Sequence, residues 1–388
     1  MPVCSRAVMQ QQGHPVHLRL LPSLSIEQTV AKKVKPVLAP LPDQFRIICD
    51  IKSDLLADIP SLPTHPPPFE LTGCYTKEWR QALDALHLDG FLWLQERALL
   101  HHLVAQQNKV FLWNDSECGQ FCEDFFLPVS IPIVQHTPWV QKNTPILPGL
   151  FDEVCNIIWK KEAVGVYEPS NSFHRSHWFC VLKKNGKSLH IVHLLELLHA
   201  VTITHSGIPP FTEQLTELFA GHACGGILDL YVRYNEQRFD PASRDLITFS
   251  TLFGGQCLTT LPMGWANSVP IFHDDITHIL QPEIPDCETI PENDGIQCFV
   301  WEHLQNGNHI VQRVKYCGGT FSGTKSVLCV NKFTIVGHHC TYAGRVLELG
   351  NYDKVLNWGP CRSLLEVLVF LGTAGIAWAF IPNFGKHA

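Results

Sequence analysis

The stretch LPMGWANSVPIFHDDI, from Leu261 to Ile276, decides how the sequence is interpreted. Its end, Phe272-His273-Asp274-Asp275, places two carboxylates side by side. In the tight turn of a β-hairpin both carboxylates can reach metal ions, whereas on a helix they lie about 100° apart. The flanks favour a helix from about Val269 to Leu280, because apolar residues recur at intervals of three and four. The recurring residues are Val269, Phe272, Ile276 and Ile279.

The residues before this helix support the same interpretation. Asn267 or Ser268 is suited to cap a helix, and Pro270 is suited to its first turn. In this helix Asp274 lies roughly opposite Phe272 and points to solvent. The sequence therefore predicts that both aspartates are surface residues and that the pair is not a metal site.

Composition limits the classes of protein that the 388 residues can form. The chain has 45% hydrophobic and 17% charged residues and a formal charge of −7, so a protein that is basic overall is excluded. Fifteen scattered cysteines and no apolar leader predict reduced thiols in an intracellular protein. Cys118 and Cys122 have zinc-like spacing, but no second pair completes a site, and ordinary packing is favoured.

The two ends of the chain have distinctive compositions. Residues 1–70 are rich in proline and predict a flexible arm or linker, and residues 71–150 predict a helical and then extended segment. Residues 367–381 carry no charge, but 15 residues are too few for the roughly 20 that a membrane span needs. We expect a buried helix pair there and no membrane contact.

Two local motifs bear on phosphate binding. The segment HWFCVLKKNGKSLHIVHLL, residues 177–195, predicts a β-hairpin with a Lys-Asn-Gly turn. Six bases lie between residues 156 and 193 against Glu162 and Glu168, so the basic charge is local. GGTFSGTKS, residues 318–326, is close to a P-loop, but Thr324 separates Gly323 from Lys325 and argues against it.

The order of several segments resembles the reverse transcriptase region of gypsy-like LTR retrotransposon Pol polyproteins, over roughly residues 70–388. The similar segments are GVYEPSNSFHRSHWFCVLKKNGKSLHIVHLLELLHAVTI (165–203), GGILDLYVRYNEQ (225–237), LTTLPMGWANSVPIFHDD (258–275), VKYCGGTFSGTKSVLCVNKFTIVGHHCTYAGR (314–345) and VLNWGPCRSLLEVLVFLGTAGIAWAFIPNF (355–384). The resemblance implies an α+β fold: a polymerase palm sheet with helices at 206–345, fingers at 151–205 and the start of a thumb at 346–388, preceded by the irregular Pro-rich arm.

The resemblance also implies an activity and a site. The reaction would be DNA synthesis on an RNA or DNA template-primer, with Mg²⁺ held by carboxylates. Asp229 would be the catalytic residue and metal ligand, and the nucleotide-binding residues would be Lys183, Lys184, Tyr234, Met263, Gly264, Trp265 and Lys325. Taken without the family, Asp229 would be a strand-end or cap residue and Tyr234 a core aromatic.

The sequence departs from the family pattern where the second pair of carboxylates is expected. About ten residues separate Pro282 from Glu292, and no apolar-Asp-Asp-apolar hairpin fits among them; Asp286 is the nearest acid. His190 replaces an arginine in the fingers, and neutral histidine cannot supply its fixed charge. We therefore expect a degenerate, inactive copy with a missing catalytic hairpin. The alternative is a non-enzymatic remnant that binds nucleic acid or a protein.

Overall fold

Helices and strands are mixed along the chain in the computed structural model, which describes residues 38–42, 45, 51–87, 90–113, 119–182, 189–207, 211–231, 236–283, 295–375 and 380. All of these lie in one compact unit, Lys35–Ala388. The helices are α1 (Lys77–Asp84), α2 (Leu94–Gln106), α3 (Phe151–Ala163), α4 (Glu196–Val201), α5 (Thr212–Leu218), α6 (Pro241–Arg244), α7 (Ser268–Leu280), α8 (Cys298–Tyr316), α9 (Leu349–Leu356) and α10 (Leu364–Gly375). The strands are β1 (Phe111–Leu112), β2 (Tyr167–Pro169), β3 (Trp178–Leu182), β4 (Leu189–His193), β5 (Gly225–Ile227), β6 (Thr248–Thr251), β7 (Gly254–Leu258), β8 (Phe321–Ser322), β9 (Val327–Val330), β10 (Lys332–Ile335), β11 (His338–Thr341) and β12 (Gly344–Leu347).

Helix α7 confirms the helix predicted for residues 269–280. Phe272 and Ile279 are buried along its inner face. The side chain of Asp274 is 55% exposed, as expected. Asp275 is only 5% exposed, so the prediction that both aspartates are surface residues is wrong for Asp275. It lies three residues after Phe272 and four before Ile279, and residues at those intervals share one face of a helix.

The predicted hairpin is present as the antiparallel pair β3–β4. Its register joins Trp178 to His193 and Leu182 to Leu189, and the turn at residues 183–188 lies outside the described residues. Trp178 is buried, and its Nε1 donates to the backbone oxygen of Ser250 at 2.7 Å. This bond ties the hairpin to β6, which pairs with β7 in the sheet β2–β7–β6.

Two large apolar clusters divide the interior. The first lies among α3, α4, the β3–β4 hairpin and the β2–β7–β6 sheet, and its members include Ile158, Leu198, Phe249, Leu258 and Trp265. The second lies between α2 and α8 and beneath β1, β8 and β9, and its members include Leu99, Leu103, Val300, Leu304, Phe321 and Leu328. Strand β1 is parallel to β8, β5 is antiparallel to β9, and a bridge between Leu230 and Phe321 joins the two pairs.

Two carboxylates, Glu96 and Glu283, bind groups at the start and near the end of α8. Before α8 begins, the backbone N–H of Gln297 donates to Glu96 Oε1 at 2.8 Å, and Glu96 is fully buried. Near the end of α8, Arg313 Nε lies 2.5 Å from Glu283 Oε1 and His309 Nδ1 lies 2.9 Å from Glu283 Oε2. Each carboxylate therefore has donors that offset its loss of hydration.

The described part of the predicted arm is irregular, but it is packed. Residues 51–70 form no helix or strand, and Leu55 and Leu62 are nevertheless buried, at 1% and 6% exposure. Asn308 of α8 donates through Nδ2 to the backbone oxygen of Pro60 at 2.7 Å. The flexible arm expected for residues 1–70 thus describes this portion poorly; residues 1–37 lie outside the described residues.

The C-terminal helices form a pair, α9 and α10, held by an edge-to-face contact between Trp358 and Phe370 with centroids 5.5 Å apart. The expectation that this apolar segment is buried is wrong at its start, because Val367, Leu368 and Val369 are 37–58% exposed, whereas Ala374 further along is buried. None of the helices in the described ranges is long and apolar enough to cross a membrane.

A two-residue loop joins β10 to β11, which form an antiparallel meander with β12. Both loop residues have positive φ, +48° at Val336 and +79° at Gly337. Glycine adopts this conformation freely, but a β-branched side chain rarely does. Because the Val336 side chain is half exposed, its packing contacts offset little of the free-energy cost of this backbone conformation.

Replacing Val336 with Asn should stabilise the protein by about 1 kcal/mol, because Asn-Gly is the preferred sequence for a loop with two positive φ angles. Urea denaturation of the purified chain measures the change. Val346→Asn is the matched control, since Val346 is an exposed position within β12 and should show no gain. Equal effects of the two variants would contradict the strain at Val336.

Candidate functional site

Asp229 lies two residues beyond β5, at the junction of the two strand pairs. Its backbone oxygen accepts from the N–H of Ser322 at 2.7 Å, and the N–H of Tyr231 donates to the oxygen of Thr320 at 2.8 Å. These bonds fix the backbone on both sides of Leu230. The Asp229 side chain is 26% exposed. The sequence predicts an aspartate at the end of an apolar strand, and Asp229 lies two residues past the end of β5.

Lys325 is brought onto Asp229 by the loop after β8. The N–H groups of Lys325 and Ser326 donate to the oxygen of Ser322 at 3.3 and 2.9 Å, which turns the chain back toward Asp229. Lys325 Nζ then lies 2.9 Å from Asp229 Oδ2. The structure thus brings together two of the predicted site residues as an ion pair. The Lys325 side chain is 71% exposed, so the pair adds little to stability.

The donors that the described residues supply at Asp229 do not fit a pair of Mg²⁺ ions. Each Mg²⁺ prefers octahedral coordination by oxygen atoms, and two ions about 4 Å apart need several carboxylates. Within the described ranges, no group of three or more His, Cys, Asp or Glu side chains is placed to hold a metal ion. The ammonium of Lys325 also occupies one side of the Asp229 carboxylate. Residues 284–294, which include Asp286, lie outside the described residues.

The loop before α7 holds three more of the predicted residues, and they differ in placement. Met263 is 67% exposed, and Gly264 has φ +92° with open space where a Cβ would be. Trp265 is buried, and its Nε1 donates to Thr202 Oγ1 at 3.3 Å. The indole anchors the loop in the first cluster, while Met263 and the Gly264 backbone face solvent. Lys183, Lys184 and Tyr234 lie outside the described residues.

Two buried acids near the site were missed by sequence reasoning. Glu236 is fully buried, its Oε1 accepts from Thr320 Oγ1 at 2.7 Å, and its Oε2 has no partner among the described residues. Asp275 Oδ2 accepts from Gln237 Nε2 at 2.6 Å. The burial of Asp275 could have been predicted, because it lies three residues after Phe272 and four before Ile279 on one helix face. No local sequence pattern predicts the burial of Glu236.

Burial changes the charge of both acids. It raises the pKa of Glu236 to about 8, although the hydrogen bonds from Thr320 oppose the shift. It raises the pKa of Asp275 to about 7, and the negative charge of Asp274 adds to the effect while the bond from Gln237 opposes it. Both carboxyls therefore keep a proton in the folded chain under mildly acidic conditions.

Comparisons with known proteins show which sequences the chain is similar to. The chain is 26% identical over 250 residues to the Pro-Pol polyprotein of Simian foamy virus type 3 (strain LK3), covering 64% of the chain and 22% of the polyprotein. It is 26% identical over 299 residues to the Pro-Pol polyprotein of Simian foamy virus type 1, covering 76% of the chain and 26% of the polyprotein. The identity to the Gag-Pol polyprotein of Baboon endogenous virus (strain M7) is 26% over 239 residues, covering 58% of the chain and 14% of the polyprotein. The chain spans about a quarter or less of these relatives, and no protein-family model matches it.

Solved structures show the same fold. Foamy viral protease-reverse transcriptase in complex with double-stranded DNA gives a TM-score of 0.70 at 20% identity, over 83% of this chain and 56% of the viral chain. Foamy viral protease-reverse transcriptase in complex with an RNA/DNA hybrid gives a TM-score of 0.69 at 20% identity, over 82% of this chain and 43% of the viral chain. The fold is that of a reverse transcriptase. The homologous sequences are those of retroviral Pol polyproteins, and the chain is similar to their reverse transcriptase region.

The buried acids predict how stability depends on pH. Their pKa values are above the ordinary 4.5 and 3.8, so the stability that their protons contribute is fully present below about pH 4 and is lost as pH rises from there through 7 and 8. The free energy of unfolding should fall over this window, by up to about 1.4 kcal/mol per pH unit for each acid. Glu236→Gln should flatten the fall.

Urea denaturation at intervals between pH 5 and pH 8.5 measures this dependence. Glu217→Gln removes an exposed carboxylate from α5 and should leave the slope of the wild type unchanged. A Glu236→Gln protein with the full wild-type slope would show that Glu236 is ionised in the fold at these pH values.

Proposed function

We propose that this chain is a reverse-transcriptase-like domain that holds a nucleic-acid duplex and does not extend a primer. One observation carries the inactivity: the carboxylate of Asp229 is paired with Lys325, and no described acid joins it to complete a metal site. A site for two metal ions needs a cluster of negative charge. The geometry supports a different state, in which the Lys325 ammonium neutralises the Asp229 carboxylate.

The electrostatics favour the ion pair over Mg²⁺ binding. Two Mg²⁺ ions at about 4 Å carry four positive charges, which repel strongly unless several carboxylates and phosphates share them. Asp274 does not supply a missing ligand, because α7 points its side chain to solvent. Asp275 is buried, and its carboxylate is already bonded to Gln237. We therefore assign no step of DNA synthesis to these residues.

Charge along the chain supports nucleic-acid binding. The basic excess between residues 156 and 193 stands out in a chain whose net charge is −7. Its hairpin bases are Lys183, Lys184 and Lys187, which flank the described strands β3 and β4. Arg175 is not free for this role, because its Nη1 donates to the backbone oxygens of Ser172 and His174. The resemblance assigns this hairpin to the fingers, and the two foamy virus structures were solved with duplexes.

Substitutions at family positions support an origin in a decayed gypsy-like LTR element. Histidine outnumbers arginine by 21 to 12, and His190 stands where the family pattern has arginine. One transition in a methylated CpG converts an arginine codon to histidine or cysteine. Alignment with an intact sibling element tests this origin, since decay requires that most His and Cys differences be such transitions.

The purified chain should not extend a DNA primer on an RNA or DNA template with Mg²⁺ or Mn²⁺, because the described residues form no group of three or more metal-ligating side chains to hold two ions. An active retroviral reverse transcriptase in parallel reactions is the positive control. Extension by the wild type that Asp229→Asn abolishes would refute the proposal, and would mean that another carboxylate completes the site.

The chain should bind an RNA/DNA hybrid, and binding should weaken steeply with salt because counterions are released from the phosphates. Changing Lys183, Lys184 and Lys187 to Gln should lower affinity at least about tenfold and reduce the salt slope by two to three. Fluorescence anisotropy with a labelled hybrid measures both quantities.

The matched control changes the same number of charges elsewhere, at Lys77, Lys109 and Lys354, which are exposed outside the hairpin. This variant should retain most of the wild-type affinity. Equal losses in the two triple variants would show that binding depends on net charge alone and would contradict a role for the hairpin.

A further inference from the structure

Two cysteines meet across the β5–β9 ladder, away from the Asp229 carboxylate. Cys224 immediately precedes β5, and Cys329 lies within β9. The antiparallel register joins Gly225 to Val330, with an irregularity before the next pair. Cys224 and Cys329 are therefore diagonal neighbours, and their thiols lie within hydrogen-bonding range of one another.

The two thiols differ in access to solvent. Cys329 is fully buried in the second cluster, whereas Cys224 is only partly buried at its edge. This asymmetry suits a pair in which an outer thiol reacts first and an inner thiol responds. Neither cysteine takes part in the site at Asp229, so the pair has no role in the function proposed above.

The backbone at Cys329 is unusual. Its φ is +52°, a left-handed conformation that non-glycine residues seldom adopt. The N–H of Cys329 donates to Nε2 of His303 on α8 at 3.2 Å. A Cβ added at Gly226 would lie 3.1 Å from the same His303 atom, so the imidazole occupies the space beside the ladder. Strain held in this way is typical of functional positions.

The groups facing Cys224 favour its thiolate. The hydrogen bond from Cys329 holds the pKa of Cys224 well below its usual range, and His303 and His222 contribute in the same direction, while burial opposes them. The Phe299 carbonyl, 3.8 Å from Cys224 Sγ, favours the protonated thiol instead. The same hydrogen bond, burial and the charge of Glu96 raise the pKa of Cys329, so Cys329 keeps its proton.

We propose that Cys224 and Cys329 form a peroxide-reactive thiol pair that closes into a reversible disulfide across the β5–β9 ladder. Cys224 Sγ attacks one oxygen of hydrogen peroxide, the O–O bond breaks, and the leaving hydroxide takes a proton to become water. The product is the sulfenic acid of Cys224. Cys329 Sγ then attacks that sulfur, its proton leaves with the hydroxyl group as a second water, and the S–S bond forms.

Overall, two thiols lose two electrons and two protons while one peroxide is reduced to two waters. The cross-link would join the strand that leads to Asp229 with the strand that follows Lys325. Ile227 and Val327 already pair between these points, so closure would stiffen an existing ladder and not create a new contact.

Alkylation with iodoacetamide followed by peptide mass spectrometry tests the pair in the intact chain. Cys361 is exposed and serves as the internal reference thiol. At about pH 6, Cys224 should react about tenfold faster than Cys361, because only the thiolate is nucleophilic. His303→Gln should reduce that advantage. Reaction of Cys224 no faster than Cys361 in the wild type would overturn the proposal.

Treatment with hydrogen peroxide should yield a Cys224–Cys329 cross-linked peptide that dithiothreitol removes. In Cys329→Ser the cross-link should be absent and Cys224 should advance to sulfinic acid. Cys340→Ser changes another buried cysteine and should leave the cross-link intact. The proposal fails if both thiols remain alkylatable at a peroxide dose that oxidises Cys361, or if Cys224 pairs chiefly with another cysteine.

Discussion

The burial of helix α8 is the constraint on which the rest of the described structure depends. Its apolar face fills the second cluster against α2 and the strands β1, β8 and β9. Its polar groups are satisfied one by one, by Glu96 before its first turn, by Pro60 and Gln107 near its middle, and by Glu283 near its end. Because each bond joins α8 to a different segment, the helix fixes where those segments lie. Asp229 and Lys325 meet in the segments that adjoin β5, β8 and β9, and this packing sets the positions of those strands.

Four buried carboxyl groups show two solutions to the cost of burying an acid. Glu96 and Glu283 receive backbone or charged donors and are paired on both oxygens. Glu236 and Asp275 receive their hydrogen bonds from Thr320 and Gln237, which carry no charge, and burial favours the protonated form. The first solution holds over a wide pH range, whereas the second makes stability depend on pH. Of these two acids, Glu236 is bonded to Thr320, which precedes β8, and Asp275 lies on α7.

Local sequence patterns were sufficient to predict helices and strands where one hydrophobic periodicity dominated. The interval of apolar residues predicted α7, and the Lys-Asn-Gly turn between apolar runs predicted β3–β4. The family resemblance implied that Asp229 and Lys325 belong to one site, and their side chains lie 2.9 Å apart. The packing of Leu55 and Leu62 could not be predicted, because a Pro-rich composition says nothing about what an irregular segment covers. The exposure of α10 was missed for the converse reason: hydrophobicity predicts burial only if a partner surface is present.

The hydrogen bonds and ion pairs at Glu96 and Glu283 have a consequence for how this region of the chain can change in length. They fix the chain where it leaves the 3-10 turn Gln281–Glu283 and where it enters α8, so the two ends of the connection are set by contacts outside it. The entropy of closing such a connection grows only with the logarithm of its length, about 0.6 kcal/mol for each doubling. Residues can therefore be lost or gained between these anchors at little thermodynamic cost to the remainder. A fold anchored in this way can keep its core while the length of this connection changes.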